Sequence, residues 1–192
     1  MKKIGITGGI GSGKTYVAAV FQSLGIPIFF ADIQAKKLMT SSEKLIKLLK
    51  EEFGYEIYKD ADLNKEKLSS IVFSNYDKLQ KLNSLVHPIV KEEFNNWCKK
   101  QTSPYVIKEA AILFESKSNL GLDAVICVSA PLELRMKRLL KRDNFNEKEI
   151  NQRIENQILQ EDKEKQSDYI IVNDEKDLLL PQIIKIHKEL LS

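Results

Sequence analysis

The sequence predicts an α/β fold: a five-stranded parallel sheet with helices on both faces, interrupted once by a long helical insertion. Three observations predict it. Short, continuous apolar runs alternate with helix-period segments, the pattern of strands buried on both faces of a sheet. The first run, Lys3–Thr7, leads into a helical stretch through Gly8-Gly9-Ile10-Gly11-Ser12-Gly13-Lys14-Thr15, which matches G-x-x-x-x-G-K-[ST] at every fixed position. Between the second and third runs lie roughly 70 residues without a convincing strand, far more than a simple crossover of about a dozen needs.

The elements follow in order. Tyr16–Phe21 reads as the helix after the glycine-rich loop. Gly25–Phe30 is a second apolar strand, opened by Gly25 and Pro27 and closed by Ala31 and Asp32. The insertion carries helical patterns over Ser42–Phe53, Asn64–Val72, Tyr76–Val86 and, after His87-Pro88, Val90–Lys100. A third strand starts at Tyr105-Val106-Ile107 and runs on towards Ala110–Glu115. Ala124–Val128 and Tyr169–Val172 are the fourth and fifth. Helices are expected over Pro131–Arg142, Glu147–Gln157 and about Asp177–Leu191, with Pro131 and Pro181 in first turns, where a missing N–H costs little. The expected layout is one domain, 1–192, with a core at 1–32 and 104–192 and a helical lobe at 33–103.

Composition narrows the function. The 192 residues are 43% hydrophobic and 30% charged, with a net charge of +3. That is globular, and it gives no reason to expect nucleic acid as a partner. Cys98 and Cys127 lack metal-ligand or redox spacing, and no run of ~18 apolar residues or apolar leader is present. A reduced, cytoplasmic protein off the membrane is expected, monomeric, with self-association left open.

The loop explains itself physically. Its glycines let successive N–H groups converge on an anion, and the next helix adds the positive end of its dipole. Gly9, Gly11, Ser12, Gly13, Lys14, Thr15 and Tyr16 are the expected nucleotide-binding residues, Lys14 supplying charge and the Thr15 hydroxyl a ligand for Mg²⁺. Asp32 stands past the C-terminal end of the second strand, where ligands bind in open α/β sheets. It could equally cap the helix Ile33–Leu38. In Arg135–Arg142 five of eight residues are cationic, with Arg135, Arg138 and Arg142 on one helical face. Such a stripe is either a solvated face or a lid, here 135–165, that closes on a triphosphate. His87 could anchor a turn, His187 reads as a surface residue of the last helix, and Glu115 is a loop carboxylate or a substrate contact. No D-x-x-G exists and Asn64-Lys65-Glu66-Lys67 fails N-K-x-D, which excludes GTPase switches.

Ile6–Thr15, Phe30-Ala31-Asp32, Leu85-Val86-His87-Pro88, Leu113-Phe114-Glu115, Arg138–Asp143, Arg153–Gln157 and Ser167–Asn173 together resemble the dephospho-coenzyme A kinase family. The resemblance spans nearly the whole chain. It implies a P-loop kinase with a coenzyme-binding lobe and an Arg-rich lid, which uses ATP and Mg²⁺ to phosphorylate the ribose 3′-hydroxyl of dephospho-coenzyme A. It implies catalytic roles for Asp32 as base, Lys14 and Arg138. It also places Arg142 and Asn173 by the nucleotide, and Thr7, His87 and Glu115 near the acceptor. Many relatives carry Pro where Ala111 stands, and Glu109 is a further candidate acid beside the metal. Two rivals stay open: another small-metabolite kinase on this scaffold, and a non-catalytic ATP-binding regulator.

Overall fold

The computed structural model describes residues 1–59, 62–73, 75–142 and 147–192. They form two compact units, 1–30 with 100–192 and 31–99.

The first unit is built on the sheet. Its strands are β1 (Lys2–Thr7) and β2 (Ile28–Phe30), then, after the short β3 (Tyr58–Lys59) and β4 (Asp62–Leu63) of the other unit, β5 (Tyr105–Glu109), β6 (Ala124–Ser129) and β7 (Tyr169–Val172). The spatial order is β2-β5-β1-β6-β7 and every pairing is parallel. β1 is therefore central, and its register with β6 sets Thr7 opposite Cys127. α1 (Lys14–Ser23) and α9 (Leu179–Leu191) bury one core with the sheet: Val17, Ala18 and Phe21 meet Ile4, Ile6, Ile107, Ile126 and Val128, joined by Ile183, Ile186 and Leu190. On the other face Gly5 leaves room for Leu113 and Leu122, whose side chains would lie within 2.9 Å of any Cβ placed there.

Two expectations for this unit change. Segment 111–121 is a series of turns, so the third strand stops at Glu109. Ser116 Oγ donates to the Ile112 carbonyl at 2.6 Å and Lys117 takes a positive φ of 53°, which bends the apolar run away from the sheet. His187 is not a free surface residue. Its Nδ1 lies 2.6 Å from the hydroxyl of fully buried Tyr105, and burial pushes that phenol's pKa above the usual tyrosine range.

The second unit is helical: α2 (Ala31–Ser41), α3 (Glu43–Phe53), α4 (Lys65–Phe73) and α5 (Tyr76–Cys98). Ser42 caps α3 through the Leu45 N–H, and Leu45, Leu49 and Phe53 form its buried stripe. The expected break at His87-Pro88 does not occur, because α5 runs through Pro88. A proline inside a helix costs about 3 kcal/mol. Val86, Ile89 and Val90 are buried around it, and each contributes roughly 1.5–3 kcal/mol by leaving water, so packing wins. The insertion also holds the small antiparallel pair β3–β4, Tyr58 opposite Leu63. Strands of two residues leave no alternation for a sequence reading to detect. Tyr58 donates to the Met39 carbonyl at 2.6 Å, and burial pushes its phenol up to about 12. Among the described residues no helix is long and apolar enough to cross a membrane.

Candidate active site

The glycine-rich loop leaves β1 at Thr7 and enters α1 at Lys14. Two of its glycines are required by space as well as by backbone. Gly8 has φ 148°, and a Cβ there would sit 2.3 Å from the Val128 carbonyl oxygen. Gly13 is left-handed at φ 94°, stands at the N-cap of α1, and would meet Asn173 Nδ2 at 2.3 Å. Lys14 is buried, and its Nζ donates to the carbonyls of Gly8 and Gly9, both at 3.1 Å. Thr7 Oγ1 and Ser12 Oγ are buried without a hydrogen-bond partner. Each such orphan costs about 1–3 kcal/mol, and two at one loop suit a polar ligand better than a structural turn. Thr15 and Tyr16 are exposed on the first turn of α1.

Helix α6 (Leu132–Arg142) lies along this loop. Arg135 is only 7% exposed, and its guanidinium would touch any Cβ on Gly9, while its carbonyl crowds Gly11. Burial lowers its affinity for a proton, an effect that Glu161 and Glu164 oppose; an arginine so shifted still stays cationic at neutral pH. The stripe read as a solvated or lid face therefore has one member packed on the loop. Arg138 Nη2 donates to the Asn173 carbonyl at 3.1 Å, to its Oδ1 at 3.3 Å and to Glu175 Oε1 at 3.2 Å. Its Nη1 is buried and unpartnered. Asn173 Nδ2 in turn donates to the Ser12 carbonyl at 2.7 Å. Loop, Asn173 and Arg138 thus form one connected group. The Arg142 side chain and residues 143–146 of the expected lid lie outside the described residues.

A second connected group begins at Glu115. Its Oε1 lies 2.7 Å from Lys163 Nζ and accepts from the Ile158 N–H at 3.1 Å. Lys163, fully buried, also donates to the Ala111 carbonyl at 2.8 Å. It belongs to α8 (Gln160–Lys165), a helix missing from the sequence reading, which follows α7 (Glu147–Glu155). Gln160 donates to Cys127 Sγ at 3.2 Å, and burial pushes that thiol up to about 11. The neutral thiol is filler, with no nucleophilic part.

Sequence reasoning missed Gln157, Gln160 and Lys163. Gln157 left one trace, since it ends the Arg153–Gln157 run. Gln160 and Lys163 sit in Gln160-Glu161-Asp162-Lys163-Glu164-Lys165, which reads as solvated helix.

In the second unit Asp32 is exposed in the first turn of α2, which starts at Ala31, two residues earlier than a cap at Asp32 would require. There its charge favours the helix dipole. His87 is half-buried within α5, one residue before Pro88. Glu109 is buried at the end of β5, opposite Ile6. Among the described residues no cluster of three or more acidic, histidine or cysteine ligands stands ready for a metal. A Mg²⁺ carried by substrate phosphates needs few protein ligands, and the exposed Thr15 hydroxyl in the first turn of α1 is an oxygen of the kind it takes.

The family model for dephospho-CoA kinase matches residues 2–178. A dephospho-CoA kinase of Bacteroides fragilis is 37% identical over 185 residues, covering 96% of this chain and 90% of the relative. One of Bacillus anthracis is 39% identical over 175 residues, covering 89% and 88%. A solved Campylobacter jejuni dephospho-CoA kinase superposes with a TM-score of 0.67 at 26% identity, over 98% and 97% of the two chains. A Bacteroides thetaiotaomicron shikimate kinase, at 14% identity and a TM-score of 0.56 over 98% of both chains, shares the fold alone. A family model matched over residues 2–178 and relatives 37–39% identical along most of the chain show that it belongs to the dephospho-CoA kinase family.

Proposed function

We propose that this chain transfers the γ-phosphoryl group of ATP to the ribose 3′-hydroxyl of dephospho-coenzyme A, giving coenzyme A and ADP. The observation that carries the reading is the loop: glycines at positive φ, Lys14 held on the Gly8 and Gly9 carbonyls, and orphaned Thr7 and Ser12 hydroxyls. In the reaction a sugar oxygen forms a bond to the γ-phosphorus as the bond to the ADP oxygen breaks. Asp32 accepts the hydroxyl proton, since an alcohol is a poor nucleophile until that proton is shared. Lys14 moves from loop carbonyls to the transferring phosphoryl group, and Arg138 brings its unpartnered Nη1 to the same charge. Thr15 would hold Mg²⁺, which when bound neutralises phosphate charge. Gly9, Gly11, Ser12, Gly13, Tyr16, Arg142 and Asn173 line the nucleotide; Thr7, His87 and Glu115 serve the acceptor, with residues 33–103 as its lobe and 135–165 as the lid. The setting is cytoplasmic and the enzyme a monomer, with self-association left open.

A coupled ADP-release assay across acceptors tests the substrate. Turnover with dephospho-coenzyme A, and not with shikimate or deoxyadenosine, is expected; the reverse preference would replace this reading with that of another metabolite kinase. Arg138→Ala should lower kcat by roughly 10–100-fold, the worth of a charge-assisted hydrogen bond of about 1.5–3 kcal/mol, with a smaller change in KM for ATP. Unchanged kinetics would remove Arg138 from the chemistry.

A further inference from the structure

Gln157 and Gln160 have no part in the chemistry above, yet both reach the phosphate loop. Gln160 Oε1 accepts from the Gly9 N–H at 2.8 Å, and Gln157 Oε1 from the Ile10 N–H at 2.9 Å. Each amide is also held from behind. Gln160 Nε2 donates to Glu164 Oε1 at 3.1 Å, and Ser129 Oγ donates to that same oxygen at 2.6 Å. Gln157 Nε2 donates to the Ala111 carbonyl at 3.3 Å, the oxygen that Lys163 Nζ also meets. With donors and acceptors used at both ends, the orientation of each amide is determined.

We propose that Gln157 and Gln160 are positioning residues that brace the front arm of the phosphate loop, so that ATP affinity depends on them through the loop backbone. The arm Gly8–Ile10 is held on its carbonyls by Lys14 and on its N–H groups by the two glutamines. A glycine-rich arm loses more conformational entropy on ordering than other backbone does. Fixing it in advance removes that cost from nucleotide binding. The opposite assignment makes the amide oxygens stand-ins for phosphate, which ATP must displace. It has the opposite sign: removing them would tighten binding. The ties at the back favour the brace, because a displaced glutamine would strip partners from Glu164 and from the Ala111 carbonyl.

The inference rests on the nucleotide reading of the loop. Gln157→Met and Gln160→Met keep side-chain length and remove the hydrogen bonds. The measurements are calorimetric titration with a non-hydrolysable ATP analogue plus Mg²⁺, steady-state kinetics, and amide exchange at Gly9 and Ile10. Each variant is expected to bind the analogue about tenfold more weakly, in the range that small misplacements of a binding group produce. KM for ATP should rise alongside, KM for dephospho-coenzyme A should hold, and the two loop amides should exchange faster. Equal or tighter analogue binding by both variants overturns the brace. A parent protein that bound no analogue would overturn the nucleotide reading itself, and the brace with it.

Discussion

Asp32→Asn is expected to lower kcat by roughly 10²–10⁴-fold, the span of a positioned general base, while the protein stays folded. The substitution keeps size and hydrogen-bonding reach and removes the negative charge, and with it the capacity to accept the proton. Its cost to the fold is small. Asp32 is exposed in the first turn of α2, where a carboxylate contributes about 0.3–1 kcal/mol through the helix dipole. The base role predicts a loss concentrated in kcat, with KM for ATP near the parent value, because the carboxylate acts on the acceptor hydroxyl. ADP release under saturating substrates measures it, and thermal melting controls for folding. Turnover within a few-fold of the parent would leave Asp32 as a helix-end charge and send the search for a base elsewhere.

Lys163→Met is expected to cost about 3 kcal/mol of stability, the lower end of the range for breaking a buried ion pair. Lys163 is 0% exposed and Glu115 is 15% exposed, so Glu115 keeps some water when its partner goes. The lysine also donates to the Ala111 carbonyl, which would lose that hydrogen bond. Methionine fills the space and leaves the carboxylate uncompensated. The companion Glu115→Gln/Lys163→Met removes both charges and should recover much of the loss, since replacing a whole buried pair is often nearly neutral. Denaturant titration of parent, single and double variants reads this directly. A single variant as stable as the parent would show that the pair contributes nothing.

What the sequence disclosed follows the range of the interactions. The phosphate loop was legible because its chemistry is local: glycines, lysine and threonine at fixed spacing between a strand and a helix. The parallel sheet was legible from Ile4–Thr7, Tyr105–Ile107, Ala124–Val128 and Tyr169–Val172, short apolar runs of strand length set between helical segments. Pro88 misled because a local penalty was outweighed by the burial of Val86, Ile89 and Val90, which only packing reveals. Lys163 misled for the same reason in reverse. A lysine among Glu161, Asp162, Glu164 and Lys165 has every sign of a solvated side chain until Glu115, 48 positions earlier, closes on it. Arg135 was legible as charge but not as a residue packed on the loop. Gln157 and Gln160 act through uncharged amides on backbone N–H groups, a contact with no signature in composition or spacing.

The most direct test of the account is to locate the phosphate that the enzyme adds. Incubation with Mg²⁺-ATP and dephospho-coenzyme A, followed by phosphorus NMR and mass spectrometry of the product, should show one new phosphomonoester on the ribose 3′-oxygen, formed in step with ADP. No product, or a phosphate on any other position of the acceptor, would contradict it.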